Sequence, residues 1–457
     1  MTRRSRSLRP LLTIAVKEIA EGVLGRKVIC GALFFTLLLL ACAFVRSARY
    51  RAETGDYQAR VQAQESFLRN YAHYRRLSAV ARPVIPPAGM EPLVETVVKD
   101  RDLLAEESFE ESPLGDFYPR FDFLFLIATV GSLLALLMSH DAITSEREGG
   151  TLPLLASLAV SRWQILLGKW LGALASLAFY LLVALLAAAA VVAASSHVAW
   201  GGLEWGSLAL LYLAAWLYLA VFASLGLMIS VLSRSSSSAA LGCLVGWVAL
   251  ALVVPNLGPS VANTLLAPPP VYMVEKEIDR LLGPEREEAL AQARAAHAKE
   301  GLSEAEAWRH GRMEGINRGF FDRAQALKDQ LTARVERQTR ISRNVSCLAP
   351  YACFLFAGTE LAGAGISRQQ NLARLLGIWR TQAEAYIDAK LERMGSSRRD
   401  FGYDDWIDVS DGPRFRYSEP AIGMRLEFAA PFVALLGGFL SLFTLIALLA
   451  FARSRIV

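Results

Sequence analysis

The sequence has few of the residues on which disulfide-rich domains, metal sites and common hydrolases depend. It contains five cysteines and five histidines in 457 residues, and none of them falls into a CxxC pattern or a spacing typical of zinc ligands. So few cysteines in so long a chain exclude a disulfide framework. HExxH and GxSxG motifs are absent as well. We therefore predict no catalytic, cofactor-binding or metal-binding residue in this chain.

A phosphate-binding loop is also missing. Gly168-Lys169 is followed by Trp170 and has no glycine five residues earlier, so it does not form the GxxxxGK[ST] motif. The chain cannot bind ATP in that manner, and ATP-dependent work requires a partner. The net charge of +5 comes from scattered arginines at the ends of apolar runs, which is typical of membrane-orientation signals and not of a nucleic-acid surface.

Long apolar runs are abundant. Apolar residues make up 54 % of the chain and charged residues 20 %, so part of the chain belongs in a membrane and part in water. A helix that crosses about 30 Å of hydrocarbon needs roughly 20 mainly apolar residues. Six runs meet or approach this length, and we name them spans 1 to 6: residues 28–45, 121–139, 166–194, 207–232, 235–254 and 428–451. The sequence predicts an all-α, polytopic membrane protein with six transmembrane helices and a helical extracytoplasmic domain.

Basic residues in the short flanks predict the orientation, because lysine and arginine resist translocation. They concentrate before span 1, between spans 2 and 3, between spans 4 and 5, and after span 6. Both termini, including the tail 452–457, are therefore predicted to be cytoplasmic, in a multi-pass membrane protein. Segments 46–120 and 255–427 then lie outside. The cluster of Arg46, Arg49 and Arg51 disagrees with this orientation.

The two long external segments show the periodicity of helices with interspersed charge. The Gly283-Pro284 step predicts that one helix ends there and that another begins at Glu285. The stretch 345–366 is apolar but is interrupted by Pro350 and three glycines. We expect this stretch to pack against the membrane face or the core, and a seventh span is the alternative.

The stretch between spans 2 and 3, residues 140–165, is the most informative part of the sequence. Thr144 or Ser145 is expected to cap a short helix that has glutamates in its first turn, where they complement the helix dipole. Gly149-Gly150 would then allow a sharp bend or a close backbone approach. Such a protrusion suits a lever that docks on another protein. The alternative is a polar loop that lies at the lipid headgroups.

This stretch resembles the type-2 permease family of ABC transporters, whose members carry an acidic-Arg-x-Gly-Thr-Leu segment, a short apolar helix, a Ser-Arg pair and a Gly-Lys pair before the third span. The matching positions are Glu146, Arg147, Gly150, Thr151, Leu152, Ser161, Arg162, Gly168 and Lys169. The resemblance implies that residues 140–165 couple the spans to a separate ATPase by sitting in its groove. The residues expected to take part are Ser145, Glu146, Arg147, Gly149, Gly150, Thr151, Leu152 and Arg162.

Other parts of the chain extend the resemblance. Lys17-Glu18 lies in an amphipathic segment, residues 1–27, that is similar to the interfacial elbow helix before the first span of these permeases. A plain flank of span 1 without a coupling role is the alternative. The large external segments and Leu361-Ala-Gly-Ala-Gly365 resemble a longer subgroup of the family. The resemblance further implies two ATPase subunits that bind ATP and Mg, and a second permease that is identical or related.

The spans themselves contain almost no charge, so they do not predict a pore for a hydrophilic ion. Spans 3 and 4 instead carry a set of aromatic residues, which are Tyr180, Tyr212, Trp216 and Tyr218. Such a lining suits the path of an amphipathic, lipid-like or peptide substrate. Packing between helices and interfacial anchoring are equally good explanations of these aromatic side chains.

Taken together, the sequence predicts the permease subunit of an ATP-driven transporter, and export is the favoured direction. The main alternative is a scaffold or mechanotransmission complex in which the external helices engage periplasmic or envelope partners and no solute moves. A membrane enzyme is disfavoured, because paired acidic or histidine residues are absent from the spans.

Overall fold

The structure, a computed structural model, describes the following residues: 3–69, 71–73, 83–96, 121–151, 160–195, 200–266, 271–299, 323, 326, 333–334, 336–393 and 406–453. Within them, six helices are long and apolar enough to cross a membrane. This confirms the predicted all-α polytopic fold. All five cysteines are free thiols.

The helices of five of the six spans are longer than the apolar runs themselves, and those of span 2 begin two residues inside its run. In chain order they are α2 (Arg26–Leu68) for span 1; α3 (Phe123–Leu126), π1 (Ile127–Gly131) and α4 (Ser132–Ser139) for span 2; α6 (Arg162–Ala193) for span 3; α7 (Gly202–Leu232) for span 4; α8 (Ser236–Trp247), π2 (Val248–Val253) and α9 (Val254–Leu265) for span 5; and α13 (Ile422–Arg453) for span 6. At 1.5 Å per residue, α2 is about 65 Å long, roughly twice the hydrocarbon thickness.

The remaining elements lie between and before these spans. They are α1 (Arg3–Leu24), β1 (Tyr71–His73), α5 (Thr144–Glu148), α10 (Val271–Lys299), α11 (Pro350–Leu361), α12 (Ile366–Arg393) and β2 (Trp406–Asp408). The two strands pair antiparallel, with Tyr71 opposite Asp408, which adds a short ribbon to the helical fold.

The predicted helix break at Gly283-Pro284 is wrong, because α10 continues through Pro284. A proline removes one backbone hydrogen bond and crowds the preceding turn, but it does not end a helix whose other turns are rich in good helix formers.

The chain divides into two compact bodies. The first consists of residues 1–253, 349–394 and 402–457, and α7 lies at its centre. This helix is apolar on nearly all faces and rich in Ala, Gly and Ser, so it can be buried all round and approached closely. It packs against α4, α6, α8, α11 and α13. The helix α11 is buried in the same body and, at 12 residues, is too short to cross a bilayer.

The second body consists of residues 254–348 and 395–401. Within it, α9 lies against a helical stretch at residues 336–346. Ser346 Oγ donates to the carbonyl oxygen of Pro255 at 2.7 Å. A Cβ atom on Gly258 would lie 2.3 Å from the carbonyl oxygen of Ser342, so only glycine permits this approach of the two backbones.

Candidate functional site

The short helix α5 follows span 2 directly and is capped by a neighbouring helix. Ser230 Oγ of α7 accepts hydrogen bonds from the backbone N–H groups of Ile143 (3.1 Å) and Thr144 (3.3 Å). The prediction that Thr144 or Ser145 caps the helix is wrong, because Ile143 occupies the N-cap position. The hydroxyl of Ser145 instead donates to the carbonyl oxygen of Asp141 at 2.6 Å. The start of the segment is therefore fixed to α7.

The glycine pair ends α5 as the sequence predicts. Gly150 has φ +66°, a conformation that glycine adopts without strain. The turn is closed by the N–H of Thr151, which donates to the carbonyl oxygen of Glu146 at 3.0 Å. Ser145, Gly149, Gly150 and Thr151 are exposed. Leu152 and the apolar positions up to residue 159 lie outside the described residues, so their expected docking face stays a prediction.

Lys169, at the start of span 3, joins this segment to the N-terminal helix. Its ammonium group lies 2.8 Å from Glu146 Oε1 and 2.6 Å from Glu18 Oε1. The lysine side chain is buried, and both glutamates are largely buried. The second oxygen of Glu146, Oε2, is buried without a hydrogen-bond partner among the described residues. One lysine thus bridges two elements that the sequence predicts to act in coupling.

Arg147 and Glu148 reach the ends of two further spans. The guanidinium of Arg147 donates to the carbonyl oxygen of Ser233, at the end of α7. The carboxylate of Glu148 accepts from the backbone N–H of Ser236 at 2.9 Å and from its hydroxyl at 2.7 Å, at the start of α8. A cation at the C-terminus of a helix and an anion at an N-terminus both complement the helix dipole.

Arg162 makes the corresponding contact with span 6. Its guanidinium donates to the carbonyl oxygens of Phe451 (3.4 Å) and Ala452 (3.2 Å), in the last turn of α13. Beneath these polar contacts, Ile143 packs in an apolar cluster with buried residues of α6, α7 and α13. Of the predicted coupling residues, Glu146, Arg147 and Arg162 are therefore bonded to the ends of spans 3, 4 and 6, and the neighbouring Glu148 is bonded to the start of span 5.

The N-terminal helix α1 lies lengthwise along α6. A Cβ atom on Gly168 would lie 2.8 Å from Ile14 Cγ2, and one on Gly172 would lie 2.3 Å from Glu18 Cβ. Further along, Tyr180 donates to the carbonyl oxygen of Val23 at 2.7 Å. Contacts therefore advance in the same direction along both helices, over 12 residues of α6 and nine of α1, or roughly 14–18 Å. Gly168 and Gly172, one turn apart, leave room for α1 of the same chain. The predicted placement of α1 at the membrane interface stays a prediction.

The four aromatic residues considered as a substrate path are bonded within the protomer. Tyr212 donates to the carbonyl oxygen of Ala178 (3.0 Å), and Trp216 donates to that of Leu174 (3.1 Å). Tyr218 is fully buried and donates to the carbonyl oxygen of Ala128 at 2.7 Å. Together with Tyr180, these residues tie helices to one another, as the packing alternative expects. A substrate-contacting role for them stays a prediction.

A second charged cluster lies at the opposite ends of spans 4 and 6. The guanidinium of Arg425 binds the carboxylate of Glu419, the carbonyl oxygen of Pro420 at 3.0 Å and the hydroxyl of Ser207 at 2.9 Å. Arg368 donates to the hydroxyl of Tyr417 at 3.1 Å and to the carbonyl oxygen of Pro86 at 2.9 Å. We call the residues Ser207, Arg368, Tyr417, Glu419 and Arg425 the outer cluster.

One of the three arginines that disagree with the predicted orientation, Arg46, is neutralised. Arg46 is buried, and its guanidinium donates to Glu95 Oε2 at 2.9 Å and to the carbonyl oxygen of Glu91 at 2.8 Å. Burial is the main influence that raises the pKa of the Glu91 carboxyl. A paired, buried arginine presents no free charge at the membrane boundary, so it is a weak orientation signal.

Sequence reasoning missed several residues that the site uses. Ser230 and Ser236 contact the coupling segment through single hydroxyl or amide groups, and the run of four serines from Ser235 to Ser238 was the only available signal. Arg368 and Arg425 are isolated charges beside apolar runs, and nothing in their spacing indicates their shared partner Glu419. Among the described residues, no group of His, Cys, Asp and Glu is placed to hold a metal ion.

Comparison with known proteins gives a match along nearly the whole chain. Residues 12–454 match the family described as ABC-2 family transporter protein. Two curated relatives, each named probable ABC transporter permease protein NosY, come from Pseudomonas aeruginosa and Stutzerimonas stutzeri. Each is 58 % identical to this chain over 40 residues, which is 9 % of this chain and 14 % of the relative.

Proposed function

This chain belongs to the ABC-2 family of transporter proteins, and from that membership we propose that it is the membrane-spanning permease subunit of a transporter driven by a separate ATPase. The observation that carries the proposal is the set of bonds made by the segment between spans 2 and 3. A segment that merely connected spans 2 and 3 would need no charged contacts to the ends of four spans. One that transmits force needs such contacts, because displacement at one point must reach several helices.

In the proposed mechanism, the ATPase subunits press on the exposed turn formed by Ser145, Gly149, Gly150 and Thr151. The displacement passes through Glu146 and Lys169 to α6 and α1, through Arg147 to α7, and through Glu148 to α8. The spans then alternate between two arrangements, each favoured by one nucleotide state of the ATPase.

The proposed assembly contains two ATPase subunits, which bind ATP and Mg, and a second permease, identical to this chain or related to it. We propose that it works in the bacterial inner membrane with both termini in the cytoplasm, and that it exports its substrate. The absence of a phosphate-binding loop from the sequence supports the assignment of ATP hydrolysis to a partner.

The first test is purification of the tagged full-length chain from its native membrane in mild detergent, followed by identification of the proteins that accompany it and measurement of ATPase activity. We expect an ATPase subunit to be recovered. Recovery of the chain alone, or with envelope proteins only, would contradict the proposal.

Variants at the lysine bridge test the mechanism in the same preparation. Lys169→Met leaves two carboxylates unpaired, and we expect permease-dependent ATPase activity to fall on the order of tenfold. Lys17→Met is the matched control, because Lys17 is an exposed lysine on α1 whose ion pair among the described residues is with Glu21, one turn along the same helix. The double variant Glu146→Lys with Lys169→Glu restores one opposite-charge pair and is expected to recover part of the activity. Equal effects of Lys169→Met and Lys17→Met would exclude the bridge from coupling.

A second candidate function is a complex that transmits force to envelope partners without moving a solute. The outer cluster supports it, because Arg425 and Arg368 fix the segments around residues 86–89 and 417–420 to the start of α13. Displacement of α13 would then be passed to those segments. Reconstitution of the complete complex in liposomes separates the two functions: ATP-dependent accumulation of a lipid or amphipathic solute supports transport, and its absence alongside an ATP-dependent change in external cross-linking supports transmission.

A further inference from the structure

Two of the six spans contain a segment of π-helix. In span 2 it is π1 (Ile127–Gly131), and in span 5 it is π2 (Val248–Val253). A π-helical turn holds an additional residue, so the i→i+4 ladder is interrupted there and the helix can bend or turn at that point. π-Helical turns are rare and frequently occur at functional sites.

The two π-helical segments are joined by side-chain hydrogen bonds. Trp247, the residue before π2, donates from Nε1 to Ser132 Oγ at 2.9 Å. Ser132, the residue after π1, donates from Oγ to the carbonyl oxygen of Ala128 at 2.5 Å. The same carbonyl oxygen also accepts from the hydroxyl of Tyr218 at 2.7 Å. A single serine hydroxyl therefore links the widened turn of span 2 to the start of the widened turn in span 5.

The buried helix α11 supports this joint from a third side. The ring of Phe354 stacks on the ring of Tyr218, with 4.5 Å between ring centroids and 18° between their planes. A Cβ atom on Gly358 would lie 2.4 Å from Leu124 Cδ2, so α11 lies close against α3. We call the residues Ala128, Ser132, Tyr218, Trp247 and Phe354 the π cluster.

The half of span 5 formed by α8 contacts the described part of the protein along one face. Of the 12 residues of α8, three are buried, and they form one stripe at intervals of four residues: Ala239, Cys243 and Trp247. Leu241, Leu244 and Val245 are exposed. The other firm attachment of α8 is at its first residue, where Glu148 caps Ser236. The helix α8 is therefore bonded to the coupling segment at its first residue, Ser236, and to span 2 at its last residue, Trp247.

We infer that α8 is the moving lever of this protein, pulled at Ser236 by Glu148 and pivoting at the π cluster, with the Trp247–Ser132 bond as the latch between spans 2 and 5. The inference rests on the proposed coupling function and deepens it by naming span 5 as the span that moves when the ATPase acts. When the lever swings, Trp247 leaves Ser132 and the two spans separate at this depth.

The π-helical geometry lowers the free-energy cost of this movement of α8. Each α-helical residue turns the chain by roughly 100°, so relocation of the additional residue along span 5 rotates α8 without unfolding it. The hydrogen bond that breaks is one between helices, of a kind that contributes little in membrane proteins because the freed groups find other partners. A small force on α8 is therefore enough to break the hydrogen bond between Trp247 and Ser132.

Amide hydrogen exchange of the complete complex in detergent, followed by mass spectrometry, tests the inference. Trp247→Phe keeps the ring and removes the N–H donor, and Ser132→Ala removes the acceptor from the other side. We expect either change to speed exchange in π1 and π2 by about threefold. Trp170→Phe is the matched control, because Trp170 Nε1 donates to Ser224 Oγ at 2.7 Å between α6 and α7, which have no π-helical turn. Equal acceleration by the control, or none by the two latch variants, would overturn the lever.

The same measurement on the unmodified complex, with and without ATP and vanadate, separates this inference from the function on which it rests. Trapping the ATPase should alter exchange in α5, in π1 and in π2. If hydrogen exchange changes in α5 but not in π1 or π2, α8 is not the lever, and the proposed coupling function still holds. If no peptide of this chain responds, the proposed coupling itself fails.

Discussion

The coupling segment and the outer cluster both pair buried charges, but they hold them in different ways. At the coupling segment a lysine ammonium sits between Glu18 and Glu146, and one carboxylate oxygen of Glu146 is left unbonded. In the outer cluster, Arg425 is 1 % exposed and distributes its donors over a carboxylate, a backbone carbonyl oxygen and a hydroxyl.

The difference follows from the two side chains. An ammonium group is a point charge on a flexible stem and can exchange partners by rotation, whereas a guanidinium is a rigid planar fork. The first arrangement suits a contact that is remade in each cycle, and the second suits a fixed anchor. We therefore expect damage to the outer cluster to appear mainly as lost stability, and damage to the coupling segment mainly as lost communication.

The largest effect is expected from Arg425→Met. This change leaves the carboxylate of Glu419 buried without its principal cation, which should cost about 3–5 kcal/mol. Thermal unfolding in detergent measures it. Arg416→Met, at an exposed arginine of the preceding segment, should change stability by no more than about 0.5 kcal/mol. If both variants lost similar stability, Arg425 would not differ from an exposed arginine, and the outer cluster would not be a fixed anchor.

A glycine beneath the same arginine gives the next largest effect. Gly363 has φ +69°, and a Cβ atom there would lie 2.4 Å from Arg425 Cζ. Gly363→Ala therefore combines backbone strain with displacement of the guanidinium, and we expect a loss of about 2–3 kcal/mol in the same unfolding assay. Gly377→Ala in α12, where the added methyl group meets no atom within 4 Å, should instead stabilise by up to about 1 kcal/mol.

Lys169→Met is expected to cost less stability, about 1–2 kcal/mol, although it should lower permease-dependent ATPase activity on the order of tenfold. Both glutamates are about as exposed as Glu419, so the smaller loss rests on the cations: the described bonds of Lys169 go to these two carboxylates alone, whereas Arg425 also holds a backbone carbonyl oxygen and a hydroxyl. Thermal unfolding measured beside ATPase activity checks this. A stability loss as large as that of Arg425→Met would show that the two clusters are held alike.

The smallest effect is expected at an exposed pair. Asp411 accepts from Lys390 at 2.7 Å, and hydrogen bonds from Lys390 and Tyr386 hold the pKa of the Asp411 carboxyl below its ordinary value. Because the folded pKa is lowered, the stabilisation is present above the ordinary pKa of about 4 and is lost as the pH falls through the folded value. Asp411→Asn should therefore cost under about 1 kcal/mol at pH 7, and the difference from the unmodified chain should vanish at low pH.

Local sequence patterns predicted much of this molecule. Contacts between residues far apart in the sequence could not be predicted from them. Apolar runs located the six spans because a helix in hydrocarbon must satisfy its own backbone within one continuous segment. The residues of the coupling segment were identified through the resemblance of residues 140–165 to the permease family. Their partners were not, since Ser230 Oγ caps a helix 86 residues earlier in the chain and Arg425 bonds Ser207 across 218 residues. The π-helical turns have no residue preference that separates them from the α-helix around them.

The position of α1 along α6 has a consequence for biogenesis. Glu18 and Lys169 are separated by 151 residues, so at 5–20 residues per second a ribosome needs roughly 10–30 s to supply the partner of a helix that it has already made. During that interval the apolar face of α1 has no protein to cover it, and the headgroup region of the membrane offers an amphipathic helix a resting place. Helix α1 thus reaches its final position against α6 only after α6 has been synthesised.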